Sequence, residues 1–159
     1  MITFGFVDGT FKNIHYQTVE IQGDVKPVTF QLCNAYININ NPSDRYYYKG
    51  TTYNGGLYHI RKIFDRQYKA PKNSEEFGIF QVRFVVNCEG KAGIFDHQAF
   101  DYDYNLKEFS TEITDQIFEI AKGLQNWIPG RHSKTDQIID TYKYLSFRIK
   151  DGKIIRIYP

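Results

Sequence analysis

Only two cysteines occur in the 159-residue chain, Cys33 and Cys88, and they are not in CxxC spacing. Chelation of a metal by thiols is therefore not suggested, and the pair reads equally as one disulfide or as two buried thiols. No apolar run approaches the roughly 20 residues that cross a bilayer. The opening MITFGFVDGT also lacks a basic segment followed by an apolar core, so no membrane span is expected and no leader is read in these residues. Charge of one sign is missing as well: 20 basic against 18 acidic side chains give +2, without blocks, which is not the footprint of a nucleic-acid binder.

Catalytic frames are equally scarce. The sequence has no GxSxG, GxGxxG or GxxxxGK[ST], and Gly55-Gly56 is a helix-entry turn rather than a phosphate cradle. His15, His59, His97 and His132 fall in separate segments without HxxxH or HExxH spacing, so no metal site is expected. Asp101 and Asp103 share one face of an alternating segment, which reads as a solvated side rather than as acid-base machinery. The expectation is a non-enzymatic protein without cofactor.

What the chain has in abundance is aromatic surface: 13 Tyr, 13 Phe and one Trp, 17% of all residues. Such side chains suit pleated sheets and contact patches that combine an apolar body with a polar handle. Residues 77–90, FGIFQVRFVVNCEG, organise the rest. Phe80, Val82, Phe84 and Val86 alternate with Gln81, Arg83 and Asn87, the pattern of a strand buried on one face and wetter on the other. Gly90 can supply the positive φ of a tight turn, and Ala92, Ile94 and Phe95 open a return strand.

Earlier in the chain, residues 1–26 carry short apolar snatches broken by Asp8-Gly9 and Gly23-Asp24, as in a β-meander, and residues 28–39 read as a further strand. Residues 40–56 are loop-like. Leu57, Ile60, Ile63 and Phe64 then form a helical stripe that Pro71 cannot continue. A second helix begins at Ser110 or Thr111, with Glu112 in its first turn and Ile113, Ile117, Ile120, Ala121 and Leu124 on one side. Gly123 weakens its last turn and Trp127-Ile128-Pro129-Gly130 ends it. Two closing strands flank Asp151-Gly152, the strongest short-range hairpin signal in the chain. The fold class is α+β, with two helices on one face of an antiparallel sheet, in a single domain over 1–159.

Three pieces carry a resemblance: Tyr53-Asn54-Gly55-Gly56 before an amphipathic helix, FVVNCEGKAG at residues 84–93, and Trp127-Ile128-Pro129-Gly130 after the second helix. In this order and spacing, with YLSFRI at residues 144–149, residues 53–149 resemble the C-terminal domain of TonB, the periplasmic energy transducer, in its Bacteroidetes-type form. The likeness implies a TonB C-terminal-like core over 53–159 and a β-rich N-terminal extension over 1–52. No anchor or Pro-rich spacer precedes the region, so energy transduction is not expected.

The resemblance further implies a protein or peptide partner in the cell envelope, bound by pairing with a sheet edge. The setting would be the periplasm or an association with the outer membrane, its leader removed. The expected contact residues are Tyr46, Tyr47, Tyr48, Tyr53 and Tyr58 on the loop side, and Tyr142 and Tyr144 on the last strands. An alternative is small-ligand or glycan binding in an aromatic cleft against the Tyr-rich N-terminal half, with His59, His97 or Asp101 converging on it. A compact cytoplasmic protein that neutralises a partner is a third reading.

Overall fold

The computed structural model describes residues 30–33 and 48–159. The expected meander over 1–26 and most of the strand expected over 28–39 lie outside these residues. Residues 30–33 are not a strand. The physical reason is that their backbone is spoken for by side chains rather than by a ladder: the Cys33 amide donates to Asp140 Oδ2 at 2.8 Å, and the Gln31 carbonyl accepts from Asn87 Nδ2 at 2.9 Å.

The framework is a four-stranded sheet of β3 (Gly78–Val86), β4 (Ala92–Phe100), β7 (Thr141–Lys150) and β8 (Lys153–Tyr158), in the order β4-β3-β7-β8 and antiparallel throughout. Helices α1 (Gly56–Gln67) and α2 (Thr111–Lys122) cover one face. The alternation in β3 works as expected: Phe80, Val82, Phe84 and Val86 are buried with Leu145, Phe147 and Ile149 of β7 under Ile60, Phe64, Ile113 and Ile117. Phe64 and Phe147 meet at 4.7 Å between ring centres, and each such ring contributes about 1.5–3 kcal/mol by leaving water.

Both hairpin turns follow from their residues. Gly90 takes φ +76° in the β3–β4 turn, while Asn87 Oδ1 accepts the Glu89 and Lys91 amides at 3.0 Å. Asp151 and Gly152 both have positive φ, the geometry of a type I′ turn. Two bulges redirect the edge strands. In β4, Ile94 sits at φ +54°, an uncommon conformation for a β-branched residue, and turns Phe95 onto Phe84 at 5.3 Å. In β8 the register shifts opposite Arg148 and Ile149, so Ile154 and Ile157 both reach the core although three residues apart.

Three expectations are corrected. The second helix ends at Lys122, with Gly123 as its C-cap, and Trp127–Ile128 form the short strand β5. β5 pairs with β2 (Thr52–Tyr53), tying the entry of α1 to the exit of α2. Similarly β1 (Tyr48–Lys49) pairs with β6 (Arg131–His132), inside what reads as loop. The segment after β4 does not extend it but folds back, with Asp101 accepting the Asp103 and Asn105 amides and Phe100 bridging to Leu106.

Candidate protein-contact surface

Among the described residues, the sheet's second face carries no helix. Across it run Asp96, Arg83 and Tyr144; then Gln98, Gln81, Ser146 and Tyr158; then Phe100, Ile79, Arg148 and Arg156, each row aligned by cross-strand register. Arg83 pairs with Asp96, and Gln81 Nε2 donates to Ser146 Oγ at 3.1 Å. At one end Val85 is fully buried, because Phe30 lies over its neighbour Gly93.

The sheet has two edges, and they differ in how much main chain they leave open. On β4 the His97 amide is taken by the Asp96 carboxylate at 2.7 Å, and the Ala99 carbonyl accepts the Lys107 amide at 3.0 Å. With the Ile94 bulge, that margin is blunted along its length. On β8, side chains of α1 and its exit occupy only the start: Arg61 Nη2 donates to the Ile154 carbonyl at 3.0 Å and the Tyr68 hydroxyl to the Gly152 carbonyl at 2.6 Å. Residues 156–158 pair with β7 on one side and, among the described residues, with no strand on the other, while Ile155 is the residue at the β8 bulge. β8 reaches only to Ser146, so residues 143–145 of β7 extend the same margin. Beside it lies a depression of about 160 Å³ lined by Phe64, Asp65, Tyr68, Ala70, Lys153 and Ile154.

The described tyrosines among those singled out from the sequence stand in different settings. Tyr46 and Tyr47 lie outside the described residues, and Tyr48 contributes its backbone to β1. Tyr53 is not a contact residue but core: it is buried edge-on against Trp127 at 4.9 Å and His59 at 5.9 Å, because β2–β5 pairing turns it inward. Burial pushes its hydroxyl's pKa up, opposed in part by a hydrogen bond with Asn126. Tyr58 is exposed on α1 under the Lys62 ammonium, 4.5 Å from its ring. Tyr142 and Tyr144 pair with β3 on one side and lie beyond the reach of β8 on the other, so Tyr144 stands on the margin that residues 143–145 extend, in register with Arg83.

The groups considered for a small-ligand cleft also go separate ways. His59 packs on Tyr53, His97 packs on Phe80 and Phe118, and Asp101 caps its own turn. Hydrogen bonds from Asn105 hold the Asp101 carboxyl below its ordinary pKa, which marks a turn role. Cys33 and Cys88 form a disulfide, Cα atoms 5.9 Å apart. Asp140 lies against it, fully buried, its Oδ1 accepting the Cys88 amide at 3.0 Å. That carboxylate is missed by sequence reasoning, since 107 residues separate it from Cys33.

Comparison of the chain with known protein families, with curated proteins and with solved structures returns no match.

Proposed function

We propose that this protein is a non-enzymatic interaction domain of the bacterial cell envelope, TonB C-terminal-like in its core, that binds a partner protein by adding one of its extended segments to the β8 margin. The observation that carries the reading is the contrast between the two edges: main-chain groups of β4 are taken by Asp96 and Lys107, while among the described residues no strand adjoins 156–158 past the β8 bulge, beside a depression of mixed apolar and charged lining. Main-chain pairing supplies affinity in such a mode, and alternate side chains supply selectivity. The Cys33–Cys88 bridge supports an oxidising compartment such as the periplasm.

A photo-crosslinking amino acid at Ile155, in cells of the source organism, tests this. The expected product joins position 155 to one extended segment of an envelope protein, and a synthetic peptide of that segment slows amide exchange at 155–158. Equal crosslinking from a control position at Lys72, or a peptide that binds without protecting 155–158, rejects the reading.

A further inference from the structure

The β7–β8 hairpin opposes like charges twice. Arg148 is the direct cross-strand partner of Arg156, and Lys150 that of Lys153. All four belong to the helix-free face, since their registers alternate with buried Ile149, Ile154 and Ile157. Like charges directly opposite one another destabilise a sheet. None of the four has a carboxylate within ion-pair distance among the described residues, where the pairs formed are Arg61–Asp65, Arg83–Asp96, Lys91–Glu89, Lys122–Glu119 and Arg131–Asp136.

Tyrosines hold the guanidiniums in place instead. Arg148 Cζ lies 4.3 Å from the centre of the Tyr102 ring, and Arg156 Cζ lies 4.9 Å from that of Tyr158. Tyr102 is itself fixed by its hydroxyl, which donates to the Ile149 carbonyl at 2.5 Å. Arg148 also hydrogen-bonds the Tyr158 and Tyr102 side chains, and a guanidinium has five N–H donors, so those that remain can grip a carboxylate.

We propose that this hairpin docks an extended acidic segment of the partner protein. Its backbone runs along 155–158, and its carboxylates meet Arg148, Lys150, Lys153 and Arg156. The proposal rests on the edge-pairing reading and adds to it the chemistry of the occupant. A strand laid beside β8 sends alternate side chains to opposite faces. One set reaches the four cations and the other the depression, where Phe64, Tyr68, Ala70 and Ile154 offer apolar contact beside Asp65 and Lys153 at its rim, so the segment alternates acidic with apolar residues. The same cations repel a basic strand and leave a neutral one without compensation, which makes an open edge selective rather than indiscriminate. A net charge of only +2 over the chain, with these four cations grouped on one hairpin, fits a short acidic segment better than a nucleic-acid backbone.

Terminally blocked peptides alternating valine with glutamate, glutamine or lysine test the idea by NMR titration of the full chain at low and high salt. The glutamate peptide is expected to shift the amides of 155–158 and the Nε signals of Arg148 and Arg156. It is also expected to bind about tenfold tighter than the glutamine peptide at low salt, an advantage lost at high salt. Replacing Arg148→Gln and Arg156→Gln together should bring it down to the glutamine peptide's level, and Lys150→Gln with Lys153→Gln should remove part of the difference. Equal binding of the glutamate and glutamine peptides at 155–158 overturns the acidic occupant and leaves edge pairing standing. Binding of the glutamate peptide at the four cations without shifts at 155–158 overturns edge pairing. No binding by any of the peptides overturns the occupant proposed here.

Discussion

The Asp140 carboxylate holds the Cys88 amide at 3.0 Å and extends its other oxygen to the Cys33 amide at 2.8 Å, so one buried side chain fastens both halves of the disulfide. The covalent bridge and this electrostatic clamp act on the same two chain segments, 55 residues apart. Asp140→Ala leaves two part-buried N–H groups without that acceptor and is expected to cost about 1–3 kcal/mol in urea unfolding, with Asp140→Asn costing less because one carbonyl oxygen remains. Reducing the disulfide is expected to cost about 2–4 kcal/mol on its own. The two losses should not add, since they report on one junction. An Asp140→Ala protein as stable as the parent while oxidised would contradict the clamp.

Gly93 is kept bare by Phe30. A Cβ built there falls within the Phe30 ring, although the Gly93 backbone is one that any residue adopts. Gly93→Ala should therefore displace the 30–33 segment and cost about 1–3 kcal/mol, as overpacking does. In a Phe30→Ala background the same change should be close to neutral. A double-mutant cycle by denaturant unfolding reads the coupling directly, and additive losses would show that Phe30 does not occupy this place.

The parts of the fold that were legible in the sequence are those in which local pattern and tertiary burial agree. Phe80, Val82, Phe84 and Val86 alternate and are buried; Ile113, Ile117 and Ala121 repeat at helical spacing and are buried; Asp151-Gly152 makes the turn its dipeptide demands. The bulges broke the pattern. Ile94 adds a residue to β4, and Ile154 with Ile157 point the same way at a spacing that strict alternation forbids. β1, β2, β5 and β6 are two residues each, too short for any periodicity, and exist because distant segments meet. For the candidate surface, tyrosine content drew attention to Tyr53, which its pairing with β5 buries. The opposed cations of the last hairpin show only once register is known.

Lys143 lies opposite Phe84 in the β7–β3 register, on the helix-covered face. Desolvation lowers its pKa, with no carboxylate among the causes. The sign follows: the unfolded chain holds the proton more tightly, so the penalty is fully present below the folded pKa and fades as pH rises through it toward the ordinary lysine value. Lys143→Met keeps the length of the side chain without the charge and is expected to stabilise the protein at neutral pH by about 0.5–1 kcal/mol, a melting temperature higher by about 2–3 °C. The gain should shrink at strongly alkaline pH. A variant less stable than the parent at neutral pH would mean that the ammonium has a compensating role.

Tyr68, just past α1, couples the helix to the β7–β8 turn through its hydroxyl, which donates to the Gly152 carbonyl at 2.6 Å. Burial, with Glu76 and Glu112 adding negative potential, pushes its pKa up from 10.0 to about 12. The folded state therefore holds this proton more tightly than the unfolded chain does. The contribution is whole below about pH 10 and is lost as pH rises from there to about 12. Allowing for partial exposure to solvent, the loss is about 1–2 kcal/mol. Tyr68→Phe forfeits the hydrogen bond, at a cost of about 1 kcal/mol near neutrality, and should fall less steeply across that alkaline window. Lysines and the other tyrosines titrate in both proteins, so the difference between their urea midpoints from about pH 8 upward isolates Tyr68. Parallel curves through that window would remove Tyr68 as the source of alkaline sensitivity, whereas converging ones tie the end of α1 to the hairpin that carries the four opposed cations.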